Sequence, residues 1–222
     1  MTAAPAVLFD IDGTLVDSNY LHVFAWQQAF DDIGVTVDAW RIHRGIGMDG
    51  TRLVTELCPD LEDVDAAKDA HSRRYEALAP LLHPLPGALE LLDAVAAAGL
   101  QVVLATSAPE DELATLREVL GRDDIVSAIT SSEDVDTAKP QPDIVAVALQ
   151  RADVPADRAV FVGDAVWDVR AATRAGVATI ALRSGGYGRA ELESEGAAAV
   201  YDDPADLLEQ FAASLLGKLA SA

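Results

Sequence analysis

The chain is short of most features that would tie it to a membrane, a polyanion or an oxidising compartment. One cysteine, Cys58, stands among 222 residues, so no intrachain disulfide can form and a reducing compartment is the expected setting. Lysine and arginine number 16 against 37 acids, a formal net charge of −21 that argues against nucleic acid and anionic membrane surfaces as partners. An anionic substrate stays compatible, because a metal ion and a few local bases invert the field inside a cleft. Aromatic residues make up only 5%, whereas half of the chain is hydrophobic and much of that is alanine. Such a composition suits a helix-rich globular protein with a sizeable core. No apolar run approaches membrane-spanning length, and the N-terminus has neither a basic region nor an apolar signal core. The expectation is a soluble, cytoplasmic chain, monomer or homodimer, with room for a large domain and a smaller companion.

What is there centres on Phe9-Asp10-Ile11-Asp12-Gly13-Thr14-Leu15-Val16-Asp17-Ser18. The apolar run Ala6-Val7-Leu8-Phe9 leads in and reads as a short buried strand. In extended backbone, residues i and i+2 point the same way, so Asp10 and Asp12 share a face. Two carboxylates that close repel unless a cation or a proton lies between them. A hairpin turn at Asp12-Gly13 and a solvated strand end compete with a functional reading. A calcium loop does not, because Thr14 and Leu15 stand where it needs an acid or amide and then a glycine.

Further along, helical spacing covers 18–33, with Val23, Trp26, Phe30 and Ile33 on one face, Ser18 or Asp17 as cap and Gly34 as stop. Short helices are predicted at 38–43 and 50–57 and a longer one at 64–82, with a loop at 44–48. With no strand signal, 17–84 reads as an all-helical insertion. After Pro84 and Pro86-Gly87 the pattern changes. Strands at 101–105, 125–129, 159–162, 178–182 and 198–201 alternate with helices at 88–98, 110–120, 142–152, 166–175 and 205–219. That alternation means a parallel sheet covered on both faces, with ligands bound outside the carboxyl ends of its strands. The expected fold is α/β: a Rossmann-like parallel sheet core of 1–16 and 85–222, with a small α-helical cap, 17–84, inserted after the first strand.

Other strand ends carry chemistry. Thr106-Ser107 closes one, where Thr106 suits an anionic oxygen or merely caps the next helix. Lys139, in Ala138-Lys139-Pro140-Gln141-Pro142, is either a cation aimed at the strand ends or an ordinary loop lysine. Phe161-Val162-Gly163-Asp164 places an acid at a strand tip with Asp168 four residues on, although acids near a helix N-terminus are favoured in any case. Taken together, Asp10 and Asp164 can bind a hard divalent cation of the magnesium type through oxygen. Asp10 then lies against the metal and a phosphoryl group, placed for in-line attack. The metal and Lys139 reduce charge repulsion, and Asp12 serves as acid and then base.

These residues resemble the four motifs of the haloacid dehalogenase-like hydrolase superfamily, over essentially the whole chain. The resemblance implies nucleophile Asp10, acid/base Asp12, the hydroxyl of Thr106, the lysine Lys139, and magnesium ligation by Asp164 and Asp168 with Asp10 and the main-chain carbonyl of Asp12. The insertion is similar to the small helical cap of the phosphoglycolate phosphatase and β-phosphoglucomutase branch. Dehalogenases lack the second acid that Asp12 supplies, so the resemblance implies phosphoryl transfer.

The expected activity is hydrolysis of a small phosphomonoester, of phosphoglycolate or sugar phosphate type, through an aspartyl-phosphate. A phosphomutase, or a non-catalytic binding protein on the same fold, is the alternative. His22 stands where the mutases carry a histidine that helps gate the acid/base; the plainer reading makes it an exposed residue beside the apolar stripe. Arg44, in the cap loop of 44–48, faces the substrate by resemblance and is an ordinary surface arginine otherwise. Thr106, Ser107, Lys139, His22 and Arg44 are the candidate substrate contacts. Arg73-Arg74-Tyr75 lies near the cap lysine of the mutases, Lys68 is the lone cap lysine, and 184–188 reads as a plain loop.

Overall fold

The computed structural model describes residues 3–135 and 139–221; Ala138 of the lysine motif lies outside them. The strands are β1 Ala6–Phe9, β2 Gln101–Ala105, β3 Val126–Thr130, β4 Ala159–Gly163, β5 Ala178–Leu182 and β6 Ala199–Tyr201. All pair in parallel in the order β3-β2-β1-β4-β5-β6, so β1 is flanked on both sides, with Phe9 level with Leu104 and Val162. The continuous apolar run of β1 follows from this place: all four of its residues are fully buried.

Side chains alternate between two cores. Val7, Phe9, Leu104 and Val162 pack under α5 (Ala88–Ala97), α6 (Glu110–Leu120), α10 (Pro204–Glu209) and α11 (Leu215–Ala220). Ala6, Leu8 and Phe161 face α7 (Asp143–Ala152) and α8 (Val166–Arg174). Each such large apolar side chain contributes about 1.5–3 kcal/mol relative to exposure.

Between β1 and β2 lie α1 (Asn19–Asp32), α2 (Ala39–Gly45), α3 (Gly50–Leu57) and α4 (Val64–Glu76). Val23, Trp26, Phe30, Ile42, Leu53 and Ala70 form a core of their own, whereas Ala25 and Tyr75 pack into the sheet's core. The chain leaves and returns side by side: Asp17 N–H donates to His83 O and Leu85 N–H to Leu15 O, both at 2.9 Å.

Three expectations on local structure need correction. The helix expected over 64–82 ends at Glu76, and Pro80, which has no N–H to continue it, sits in a short 3-10 turn, Ala79–Leu81. The helix expected over 205–219 divides into α10 and α11, because buried Ser214 caps a new start by accepting from Leu216 N–H. The stretch 184–188 is no plain loop: a 3-10 turn, Arg183–Gly185, leads through it into a further helix, α9 (Arg189–Ser194). Among the described residues, no helix is long and apolar enough to cross a membrane.

Candidate active site

The carboxyl ends of β1 and β4 bring together Asp10, Asp164 and Asp168, all buried, with one oxygen from each within 4.8 Å of the others. Asp10 continues the ladder, its N–H donating to Val162 O at 2.9 Å. Lys139 is itself buried and bridges two of the acids, with Nζ 2.6 Å from Asp10 Oδ1 and 2.8 Å from Asp168 Oδ1. It is no ordinary loop lysine.

Asp168 stands at a helix N-terminus, as one of its two sequence readings has it, and also beside the other acids. Its Oδ2 accepts from Asp164 N–H and Ala165 N–H at the start of α8, while Oδ1 turns to Lys139. Asp164 is fixed from the other side by Thr14 Oγ1 (3.0 Å) and Asn19 Nδ2 (2.7 Å). Gly13, at φ +71°, lets the chain turn between these groups, since a β-carbon there would lie 2.4 Å from Asp164 Oδ2.

Burial dominates the electrostatics. It pushes the Asp10 carboxyl up to about 7, against the pull of Lys139, and Asp168 and Asp12 add to the rise. Burial, with Asp168 and Asp10 next, also raises Asp164 well above the carboxylate range. For Lys139 burial works the other way, but the charges of Asp10 and Asp168 outweigh it and hold the ammonium protonated. Three buried acids and one lysine leave an excess of negative charge, which a divalent cation would neutralise. The donor set is entirely oxygen and fits a hard cation of the magnesium type.

The Asp12 carboxylate is not among the clustered acids; Oδ1 accepts from Ser18 Oγ at 2.6 Å and faces His22 Nε2 at 3.3 Å. The resemblance assigns metal ligation to its main-chain oxygen instead. Burial opposes ionisation of Asp12, but the bonds from His22 and Ser18 outweigh it and lower its pKa.

His22 is buried rather than exposed, which corrects the plainer of its two sequence readings. Its ring stacks on Tyr75 with centroids 3.9 Å apart, and Nδ1 lies 3.1 Å from His71 Nε2. Burial disfavours its charged form, but the bond to Asp12 outweighs that and raises its pKa. His71 is driven well down, by burial first and then by His22.

A cavity of ≈810 Å³ opens over these groups, between strand ends and cap. Thr106 and Ser107 line it. Thr106 Oγ1 accepts from Ala108 N–H at 3.0 Å, a turn ahead of α6 rather than a cap on it, since the N-cap of α6 is Pro109, and its own proton is left to spare. Arg44 does not line the cavity; it pairs with Glu191 of α9 and lies 4.4 Å above the Tyr187 ring. The expectation that it meets substrate is corrected: the end of α2 aims it at α9 instead. Arg74 is likewise spent on Asp32.

A sequence profile described as haloacid dehalogenase-like hydrolase matches residues 7–182. The chain belongs to that family. A phosphoglycolate phosphatase of Rhodospirillum rubrum is 35% identical, over 91% of this chain and 88% of its own. A phosphorylated carbohydrates phosphatase of Thermotoga maritima is 29% identical, over 88% of this chain and 93% of its own. The crystal structure of a hydrolase from Pseudomonas syringae superposes with a TM-score of 0.89 at 36% identity, covering 93% of this chain and 97% of that one.

Several groups at this hydrolase's site had no assigned part in the sequence reading. Thr14 has a place in the first motif and spoils a calcium loop, but no role of its own is read from the sequence, and Asn19 is not singled out. Ser18 was read as a helix cap, yet its hydroxyl goes to Asp12. Glu112, lining the cavity from α6, is pushed up to about 7 by burial. Gly185 lies so near Asp164 that a β-carbon would fall 2.0 Å from Oδ2, and its carbonyl faces His43 Nε2 at 2.8 Å. A glycine pair after a strand was the signal for that close approach.

Proposed function

We propose that this hydrolase is a magnesium-dependent phosphatase acting on a small phosphomonoester through an aspartyl-phosphate on Asp10. One observation carries the reading: a buried lysine bridges Asp10 and Asp168, while Asp12 stands outside the cluster on separate partners. The relatives named for phosphoglycolate and for phosphorylated carbohydrates support a small phosphorylated metabolite as substrate.

Asp10, Asp164, Asp168 and the Asp12 carbonyl are the residues that would hold the ion. When bound, magnesium supplies positive charge beside the phosphoryl oxygens and relieves the buried carboxylates. Lys139 fixes Asp10 and adds a second positive charge there. An Asp10 oxygen attacks phosphorus, forming the acyl phosphate as the bond to the leaving oxygen breaks; Asp12 gives that oxygen its proton. Asp12 then takes a proton from water as the water oxygen attacks phosphorus, releasing phosphate and restoring Asp10. Ser18 and His22 favour the ionised form of Asp12, in which this second step begins, and the proton it takes from water is the one it gives to the next leaving oxygen. The cap over the cavity limits water during the first step.

Phosphate release from a panel of esters, with magnesium and with chelator, tests the reading. Release should require magnesium and vanish in Asp10→Asn, which replaces the carboxylate by a near-isostere. Normal turnover in that variant would remove Asp10 as nucleophile.

A further inference from the structure

The cavity has a cation at its floor and two more in its cap wall. Apart from Lys139, the lysine and arginine side chains that line it are Arg52 of α3 and Lys68 of α4. Both are held loosely. Arg52 donates through Nε to Glu56 at 2.7 Å with both side chains more than a third exposed, and Lys68 Nζ lies 3.4 Å from Asp65, itself largely exposed. Exposed pairs of this kind contribute little, so either cation can be recruited by a ligand at small cost.

Neither side chain is simply splayed into solvent. A β-carbon built on Gly50 would lie at ordinary contact distance, 3.4 Å, from both Lys68 Cγ and the Trp26 ring, so both side chains pack over this glycine. Both residues line the cavity. Arg52 reaches toward the core, its guanidinium 5.7 Å from the Trp167 ring. The acids on the same cavity are otherwise engaged: Asp49 Oδ1 accepts from Arg52 N–H, and Glu112 stands among His22 and Asp12.

A chain of net charge −21 repels anions at long range, so local cations have to offset that field. Lys139 and the metal would do so for one phosphoryl group; Arg52 and Lys68 lie beyond them, on the cap. At ≈810 Å³ the cavity is in the upper part of the roughly 300–1,000 Å³ span of small-molecule sites and has room for an extended molecule.

We infer that the substrate carries a second anionic group at the end remote from the scissile phosphate, and that Lys68 and Arg52 select for it. This rests on the phosphatase reading for which end is cleaved. The second anion is a carboxylate or a phosphate, either of which these two cations would recognise.

The test uses three probes of one carbon skeleton: sorbitol 6-phosphate, 6-phosphogluconate and sorbitol 1,6-bisphosphate, ending in hydroxyl, carboxylate and phosphate. Binding is measured by calorimetry on Asp10→Asn with magnesium, and KM on the wild-type enzyme. One or both dianionic probes should bind about tenfold or more tighter than sorbitol 6-phosphate, a difference of about 1.4 kcal/mol. Lys68→Met and Arg52→Gln should each erase most of that difference while leaving sorbitol 6-phosphate within about twofold; which dianion gains more identifies the group. Equal binding of all three, or variants that weaken all three alike, overturns the inference. Dianion preference without turnover in wild type would instead keep the subsite and reject the phosphatase.

Discussion

Gly185 stands against Asp164 so closely that a single added β-carbon would fall 2.0 Å from the carboxylate. The backbone of a 3-10 turn after β5 therefore fixes where a proposed metal ligand can sit. Gly185→Ala should displace Asp164 and cost about 10–100-fold in magnesium affinity, the usual loss when a supporting contact fails. Titrating activity against magnesium measures this. An unchanged titration with a normal melting curve would mean the turn has no part in holding the site.

The raised pKa of Asp10 makes the metal-free protein sensitive to pH in a defined direction. Its carboxyl titrates near 3.8 when unfolded and at about 7 when folded, so between these values the folded state holds the extra proton. Stability is therefore full below about 4 and is lost as pH rises through about 7. Asp164, raised for the same reason, acts in the same sense. Thermal melts of chelated protein should fall in midpoint over this window, and added magnesium should raise the midpoint more at pH 8 than at pH 5. A chelated protein whose midpoint rises with pH over that window would contradict the assignment.

Replacing His22 should be felt at Asp12. His22→Gln removes the ring stacked on Tyr75 and weakens the bond that holds Asp12 ionised. The Asp12 pKa rises in consequence, and the acid limb of the kcat profile should move to higher pH. A loss of about 10²-fold at the optimum is the lower end of what a displaced general acid–base group costs. A profile merely scaled down, with its limb unmoved, would assign His22 to packing alone.

Lys139 should be a residue the fold cannot easily spare. Lys139→Met leaves Asp10 and Asp168 buried without their shared counter-ion, a change worth about 3–5 kcal/mol. Denaturant unfolding should show that loss without magnesium and a partial recovery with it. Adding Asp10→Asn to the variant should also recover stability, because one unpaired charge is removed. A surface-like loss of under about 0.5 kcal/mol would show the lysine to be replaceable.

Much of this was legible before any coordinates, and unevenly so. β1 could be read because its four apolar residues are buried on both faces, which leaves no polar alternation to confuse the period. Asp10 and Asp164 could be read because each follows a strand whose end the sequence marks, Asp168 because it stands four residues beyond Asp164, and Lys139 because Pro140 and Pro142 set it ahead of a helix. His22 could be singled out only through the resemblance and not from periodicity, because α1 faces two cores: Trp26 and Phe30 pack within the cap, while Ala25 on the same helix packs against the sheet. Helical periodicity reports one apolar stripe and says nothing of a second partner. The direction of Arg44 was hidden for a similar reason, since α9, which supplies Glu191, gave too short a pattern to notice. Which cations line the cavity depends on how α3 meets α4, and local spacing does not encode that.

The placement of β1 has a consequence for how the protein is made. Of the six strands it is the first in the chain and, with β4, one of the two central ones, with β2 and β4 on its two sides. Its first neighbour begins at Gln101 and its second ends at Gly163, so for most of synthesis an apolar strand waits without one edge partner or both. Asp10 meets Lys139 only across 129 residues of chain. A chain halfway through synthesis therefore carries Asp10 at the end of an apolar, unpaired segment, exposed to aggregation until its non-local partners arrive.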